Sequence, residues 1–307
     1  MGRDRDPGRP RPVVTRGEVT AALVARLGSA AEARWLVEDV LGPPIGRAGA
    51  GETVPEPLRQ SIEAKVQRRQ GGEPLQYVLG CWAFRTLDLL VDPRVLIPRP
   101  ETEQVVEVAL GVLGQLAARG DDLVVCDLGT GSGAIALSIA AETAGDSPTV
   151  LVWATDREPG ALEVAALNRD RVGMVYPGAA ERVRLRRGEW FAALPASLNG
   201  GIDLVVSNPP YVAVHEWADL DPEVQAEPRS ALVAGDGVNG TPGLADVEQV
   251  LTGAALWLAR PGAVVIEIAP HQAPAADALA HRLGFTDVRV TADLAGRDRV
   301  LVGWVHR

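Results

Sequence analysis

Apolar residues recur at three- and four-residue steps through EVTAALVARL and AAEARWLVEDVL, which predicts two amphipathic helices early in the chain. Gly42-Pro43-Pro44 closes the second of them. Pro55 and Pro57 open a third, LRQSIEAKVQRRQ, which stops at Gly71-Gly72. The pattern then changes: residues 77–98, YVLGCWAFRTLDLLVDPRVLIP, alternate and are rich in bulky apolar side chains. With Asp92-Pro93 as the turn, this predicts a β-hairpin joining a small helical domain to the remainder of the chain. From residue 101 onward helical and strand patterns alternate. Helices are expected at 101–118, 133–143, 158–169, 243–259 and 272–283, and strands at 123–127, 149–155, 182–187, 203–207, 263–268, 286–290 and 299–304. Such alternation means an α/β fold, a mainly parallel sheet covered on both faces. Only TADLAGRD separates the last two strands, so the final pair is expected to be antiparallel. Residues 212–242 carry little pattern of either kind, and loops of that length usually bind or cover something. No internal repeat is present. The expected organisation is a disordered tail at 1–14, a helical domain at 15–76, the hairpin at 77–98 and the α/β domain at 99–307.

Charge and composition narrow the function classes. The 307 residues carry a net charge of −10, which argues against a duplex DNA or RNA binder with its basic face. Cys81 and Cys126 lie far apart inside apolar runs and read as buried thiols of a cytoplasmic protein without a disulfide framework. His215, His271, His281 and His306 show no ligand spacing, so no metal site is expected. No apolar run reaches the roughly 18 residues of a membrane span. The opening MGRDRDPGRPRP lacks the apolar core of a signal peptide. Arg59, Lys65, Arg68 and Arg69 form a basic stripe on the third helix, either a solvated face or a contact surface for a protein partner.

The chemistry is concentrated at three expected strand ends. Asn208-Pro209-Pro210-Tyr211 follows the apolar run IDLVV. Two prolines there remove two backbone donors and fix an extended turn. The Pro209 carbonyl then stands beside the Asn208 side-chain amide and the Tyr211 ring: two acceptors converging on one point, with an aromatic wall. This suits a planar NH2 group that must lose a proton and gain a carbon. Upstream, DLGTGSGAIALSIA follows LVVC and leads into a helix, the strand–glycine turn–helix arrangement of nucleotide sites. Gly129, Gly131 and Ala134 also satisfy the dinucleotide fingerprint. Asp127, just before the glycines, would repel a pyrophosphate and attract a sulfonium or amino group. Asp156 ends the next strand, where a carboxylate can accept both ribose hydroxyls or cap a helix. S-adenosylmethionine is the ligand that uses all three features.

These residues carry a resemblance. The chain resembles the peptide chain release factor N5-glutamine methyltransferase family over residues 15–305. The shared stretches are GGEPLQYVLG, VLIPRPETE, DLGTGSGAIALSIA, the D…AL…A…N run over 156–168, GEWF, VSNPPYV, EPRSAL, EIAPHQ and DLAGRDR. NPPY occurs in many amino-directed methyltransferases; RPETE ahead of the glycine loop is more selective and separates this family from a relative that methylates a ribosomal-protein glutamine. Glu189 stands where the family has Asp, Ala269 where it has Gly, and GDGVNGTPGL departs from its Asp-Gly-Leu segment. The resemblance implies a Rossmann-like class I methyltransferase domain whose last strand is antiparallel; the helical domain is the candidate surface for docking a protein substrate, since a loop tip alone gives little contact area. It implies that Gly129, Thr130, Gly131, Ser132, Gly133, Asp156, Trp190 and Asn208 contact S-adenosylmethionine, with Asp127 beside them. Residues Asn208, Pro209, Pro210 and Tyr211 would hold and activate the glutamine, with Arg99, Glu101 and Thr102 at the mouth of the pocket. Pro100, Glu101 and Glu103 are also sound chemistry for a helix start alone. The expected substrate is the glutamine of a Gly-Gly-Gln motif in a release factor, methylated by a cytoplasmic monomer that contacts neither nucleic acid nor membrane. The alternatives are a nucleic-acid amino methyltransferase acting on a flipped base, a different protein-glutamine methyltransferase, or a non-enzymatic S-adenosylmethionine-binding regulator, which would not need NPPY. An NAD oxidoreductase lacks a proton donor near the strand ends.

Overall fold

The computed structural model describes residues 14–44 and 49–306. The tail expected at 1–14 lies outside them except for Val14, whose carbonyl accepts from Val54 N at 2.8 Å. The described residues fall into two compact units that divide between Leu79 and Gly80.

The first unit is helical: α1 Arg16–Leu27, α2 Ala30–Leu41, α3 Glu56–Gln70 and α4 Leu75–Leu79. Thr15 and Glu18 form a capping box at the start of α1, each satisfying a backbone donor of the other. The apolar stripes predicted from spacing meet in a core that includes Leu23, Leu36, Val37, Ile62, Val66 and Val78. Arg16 is buried, and its guanidinium donates to the Gly42 and Leu41 carbonyls at 2.7 and 3.3 Å, which satisfies the end of α2. The basic stripe on α3 is spent in the same way. Lys65 pairs with Asp39 and donates to Val78 O; Arg68 pairs with Glu73 and donates to Tyr77 O; Arg69 pairs with Glu32; Arg59 pairs with Glu56. The stripe is a set of clamps within the unit, two of them holding the carbonyls of α4.

The second unit begins with a hairpin, β1 Cys81–Phe84 and β2 Leu87–Leu90, antiparallel and in register from Cys81–Leu90 to Phe84–Leu87. It is shorter than the alternation over 77–98 suggested, and its turn is at Arg85-Thr86 rather than Asp92-Pro93. Arg85 takes a positive φ of 50°, uncommon for a side-chain-bearing residue, and is over-determined there. Its backbone N–H donates to Glu103 Oε1 at 2.9 Å, and its guanidinium holds both Glu142 oxygens and Glu107. Asp92 does make a turn, with Val95 N donating to its carbonyl, but beyond the hairpin.

The chain continues through α5 Pro100–Ala117, β3 Leu123–Leu128, α6 Ala134–Glu142, β4 Val150–Asp156, α7 Pro159–Val175, α8 Ala179–Arg182, β5 Val183–Arg187 and β6 Ile202–Ser207. It then runs through β7 Val212–Ala213, α9 Pro222–Gln225, α10 Arg229–Leu232, β8 Val233–Ala234, α11 Ala245–Trp257, β9 Leu258–Glu267, α12 Ala273–Arg282, β10 Thr286–Ala292 and β11 Asp298–Val305. Among the described residues seven strands make one sheet in the order β10-β11-β9-β6-β3-β4-β5. The neighbours from β9 to β5 are parallel; β11 is antiparallel to both β9 and β10, as the short final connection required. This is the α/β class read from the sequence, a mostly parallel sheet with an antiparallel end.

Alternate side chains of the central strands go to opposite faces. Leu204, Val206 and Val265 pack on one core with α5 and α6, while Val205, Val264 and Ile266 pack on another with α11 and α12. The hairpin contributes Phe84, Leu87 and Leu89 to the first core, so it is part of the sheet's cover. The loop at 212–242 is closed by a two-residue parallel pair, Val212 with Val233 and Ala213 with Ala234. Among the described residues no helix is long and apolar enough to cross a membrane.

Asn168 on α7 is fully buried and couples the hairpin to the loop after β3. Its Oδ1 accepts from Leu90 N at 2.7 Å, and its Nδ2 donates to Leu90 O at 3.0 Å and Ser132 O at 2.9 Å. Asn168→Ala strands three backbone polar groups, each costing about 1–3 kcal/mol when buried without a partner. The variant should therefore be destabilised by at least about 2 kcal/mol, read as a lowered urea midpoint; an unchanged midpoint contradicts this role.

Candidate functional site

The sheet order reverses beside β3: the chain moves to β4 and β5 on one side, then crosses to β6 on the other. Ligand crevices of open α/β sheets form at the carboxyl ends of strands at such a point. The loop after β3 is built there by glycines at φ 72° (Gly129), 55° (Gly131) and 86° (Gly133). Gly129 N and Thr130 N both donate to Thr155 O at 2.9 Å, and Gly131 N donates to Asp156 Oδ2 at 2.9 Å. Asp127 stands beneath the loop. Its Oδ2 accepts from Thr130 Oγ1 at 2.6 Å and Ala136 N at 3.1 Å, while its Oδ1 is buried without a partner. Burial pushes the Asp127 carboxyl up to about 7, against the pull of those two hydrogen bonds.

Gly129, Gly131, Asp156, Trp190, Asn208 and Pro210 line one cleft of about 90 Å³, open to solvent. Thr130, Ser132 and Gly133 are buried behind the loop. Asp156 is held by Glu158 N and Gly131 N, both at 2.9 Å, and burial raises its pKa. Trp190 has φ 46°, a strained conformation for a non-glycine residue. Its ring lies over Gly129, 3.4 Å from where a β-carbon would be, and its Nε1 is buried without a partner. Sequence reasoning missed Arg94, Arg157 and Pro228, which also line the cleft. Arg157 donates to Ser230 O and comes within 4.0 Å of Glu189, the residue that departs from the family pattern. Arg157 directly follows Asp156 and Pro228 lies in EPRSAL, so both sit in stretches already singled out; Arg94 has no such mark and joins the cleft only through the fold.

The NPPY segment leaves β6, whose last residue, Ser207, donates from Oγ to Leu128 O at 2.7 Å and so aligns the two strand ends. Asn208 Nδ2 donates to Thr102 Oγ1 at 3.1 Å, and Thr102 Oγ1 donates to Glu267 Oε2 at 2.7 Å. The Tyr211 hydroxyl donates to Glu267 Oε1 at 3.3 Å. Burial pushes Glu267 up to about 7, opposed by Thr102, Arg299 and Tyr211. Burial, then the Glu267 charge, raise the Tyr211 hydroxyl. Gly243 has φ 65°, and a β-carbon there would collide with the Tyr211 carbonyl, so the GDGVNGTPGL segment packs directly on the NPPY backbone.

Pro209 and Tyr211 do not line the cleft, and neither do the three residues expected at its mouth. Arg99 is paired with the buried Glu227, which also accepts from Ile97 N at 2.9 Å. Glu101 pairs with Arg297 at 3.1 Å beside a different cavity. Thr102 is buried beneath Asn208. A proline-opened helix start points its first-turn side chains by helix geometry, and here only Thr102 turns toward the NPPY segment. Among the described residues no group of three or more His, Cys, Asp and Glu side chains is placed to hold a metal ion.

Residues 18–80 match the family described as the PrmC N-terminal domain. The chain is similar to the release factor glutamine methyltransferase of Xylella fastidiosa strain 9a5c, 41% identical over 246 residues that cover 80% of this chain and 81% of that protein. It is also similar to the protein of the same name from Gloeobacter violaceus, 40% identical over 277 residues, covering 89% and 90%. Among solved structures, the N-terminal domain of human METTL16 in complex with SAH shares the fold, with a TM-score of 0.50, 13% identity and 94% of each chain covered.

The raised Asp127 pKa has a measurable sign. The folded state holds this proton up to about pH 7, and the unfolded chain releases it near 4. Wild-type stability therefore loses this contribution as pH rises between those values. Asp127→Asn does not titrate, so it should gain stability relative to wild type from pH 5 to pH 8, by at most about 1.4 kcal/mol per pH unit. Urea unfolding at each pH is the measurement, and a pH-independent difference contradicts the assignment.

Proposed function

The chain belongs to the family of release factor glutamine methyltransferases, and we propose that it methylates the side-chain amide nitrogen of the glutamine in the Gly-Gly-Gln motif of peptide chain release factors, using S-adenosylmethionine. One observation carries the reading. Asn208 lies on the cleft wall with its amide nitrogen engaged by Thr102, in the same cleft as the glycine loop and Asp156. Its Oδ1 is left to accept a substrate N–H.

The residues present suit the cofactor. Asp156 spends one lone pair of each oxygen on backbone donors and keeps the others for ribose hydroxyls. Trp190 Nε1 and Asp127 Oδ1 are buried at this edge without protein partners, and such atoms call for a ligand or ordered water. The open backbone at Gly131 lets a ligand approach closely. When bound, S-adenosylmethionine supplies a methyl group already activated by its positive sulfur, so the chain's task is to prepare the nucleophile.

A carboxamide nitrogen is a poor nucleophile because its lone pair is delocalised into the carbonyl. Asn208 Oδ1, on the cleft wall, accepts one N–H of the substrate amide, and we assign the other to the Pro209 carbonyl, one residue back from that wall. That pins the nitrogen, draws electron density onto it and orients it for attack; as the N–C bond to the methyl forms and the C–S bond breaks, the nitrogen gives up one of its N–H protons to solvent. Fixed dipoles of this kind act mainly through orientation and electrostatic preorganisation. Pro210 lines the cleft beside Asn208, and Tyr211, held through its hydroxyl by Glu267, backs the segment from behind. The tip of a Gly-Gly-Gln loop gives little contact area, so a second surface strengthens binding, and the helical unit is the surface we assign to it.

Incubating the protein with labelled S-adenosylmethionine and purified release factor, then mapping the label by mass spectrometry, tests the reading. Label should fall on the Gly-Gly-Gln glutamine. Methylation of RNA or DNA without methylation of release factor overturns it. Asn208→Ala should lower turnover at least ~100-fold, the scale of losing one preorganised partner. Asp156→Ala should weaken binding of S-adenosylhomocysteine in calorimetry by about 1.5–3 kcal/mol. Removing the helical unit should raise KM for intact release factor far more than for a short Gly-Gly-Gln peptide, and equal losses on both would refute the docking role.

A further inference from the structure

We propose that Glu267 and Thr102 are positioning residues for the transfer: the Glu267 carboxylate accepts the hydrogen bond of the Thr102 hydroxyl and thereby fixes the Asn208 amide with Oδ1 toward the substrate. The proposal deepens the reading of Asn208 given above and rests on it.

A threonine hydroxyl has one hydrogen to donate and two lone pairs. Thr102 Oγ1 lies 2.7 Å from Glu267 Oε2 and 3.1 Å from Asn208 Nδ2. An ionised carboxylate can only accept, so it takes the single hydroxyl hydrogen. The hydroxyl then shows Asn208 only lone pairs, and the amide must answer with its NH2. Oδ1 is thereby turned the other way, to the side where a substrate NH2 needs an acceptor. If Glu267 is protonated, its O–H can donate to Thr102 Oγ1. The hydroxyl hydrogen is then free to turn to Asn208, where the amide oxygen is the better partner. An amide reversed in this way presents NH2 to a substrate NH2, donor against donor.

The surroundings of Glu267 place this change in the neutral range. The carboxylate is fully buried at the end of β9, and among the described residues it forms no salt bridge. The groups around it are Thr102 and the nearby charge of Glu101 from α5, the Tyr211 hydroxyl from the NPPY segment, and the charge of Arg299 from β11. Arg299 itself is directed to the Ile268 carbonyl and Asp293. Burial dominates and holds the group at about 7. A buried carboxylate without an ion pair costs stability that an apolar residue of similar size would not. The sign for activity is then set: the productive orientation is gained as pH rises through about 7 and lost below it.

The test compares wild type, Thr102→Val, Thr102→Ser and Glu267→Gln with intact release factor across pH 6–9, with S-adenosylhomocysteine affinity measured by calorimetry on each. Thr102→Val should lower kcat roughly tenfold or more while the affinity changes less than about twofold, as expected when orientation alone is lost. Thr102→Ser restores the hydroxyl and should recover most of kcat. The acidic limb of the wild-type kcat profile near pH 7 should vanish in both Thr102→Val and Glu267→Gln. Wild-type kcat in Thr102→Val, no rescue by Thr102→Ser, or an acidic limb at the same pH in both variants overturns the inference alone. A wild type that does not methylate release factor overturns the functional reading and this inference with it.

Discussion

A carboxylate taken out of water must find donors, and that requirement holds the loops around the cleft in place. Four buried or half-buried carboxylates stand at or near the strand ends, and each ties down a different piece of chain. Asp127 holds the glycine loop and the start of α6 through Thr130 and Ala136. Asp156 holds the same loop from the other side through Gly131. Glu227 fastens the segment before α5 through Ile97 and Arg99. Glu267 gathers Thr102 and Tyr211. The sheet supplies a rigid line of strand ends; the desolvated carboxylates convert it into a cleft with fixed walls. In two of the four, burial is strong enough to bring the pKa to about 7, so the anchors are also the most pH-sensitive part of the site.

What was legible in the sequence was whatever repeats locally. The 3.6-residue stripes of α1, α2 and α5, the apolar runs of β3, β4, β6 and β9, and the short connection before β11 all carry their own signal, and the structure places them where the pattern did. The hairpin turn was misplaced because Asp92-Pro93 looks like a turn, whereas Arg85 reaches its positive φ only through Glu103, Glu107 and Glu142, residues in two later helices. The basic stripe on α3 looked free for the same reason: its partners Glu32, Asp39 and the α4 carbonyls come from other parts of the unit.

The chemical residues divide in the same way. Asn208, Asp156, Gly129 and Gly131 were legible because motif and strand end coincide, and the structure brings them to one cleft. Asn168, Glu227 and Glu267 lay in stretches that the resemblance marked, but their partners were not legible. Asn168 reaches Leu90 across 78 residues, Glu227 reaches Ile97 across 130, and Glu267 reaches Thr102 across 165. Thr102 was read as a pocket-mouth residue, yet it lies buried behind Asn208; nothing in RPETE states which face of the helix will turn inward. Periodicity reports burial and motif reports chemistry, but neither reports which donor a buried acceptor will meet.

The strand order also bears on how the sheet is completed during synthesis. Among the described residues β10 pairs only with β11, and β9 gains its second neighbour only from β11. Until residues 298–305 have left the ribosome, the long apolar strand β9 presents an open edge, and β10 has nothing in the sheet to join. An unpaired apolar edge is a template for wrong partners. The short tether between β10 and β11 keeps that interval brief, because β11 follows β10 closely and pairs with the facing edges of both β10 and β9.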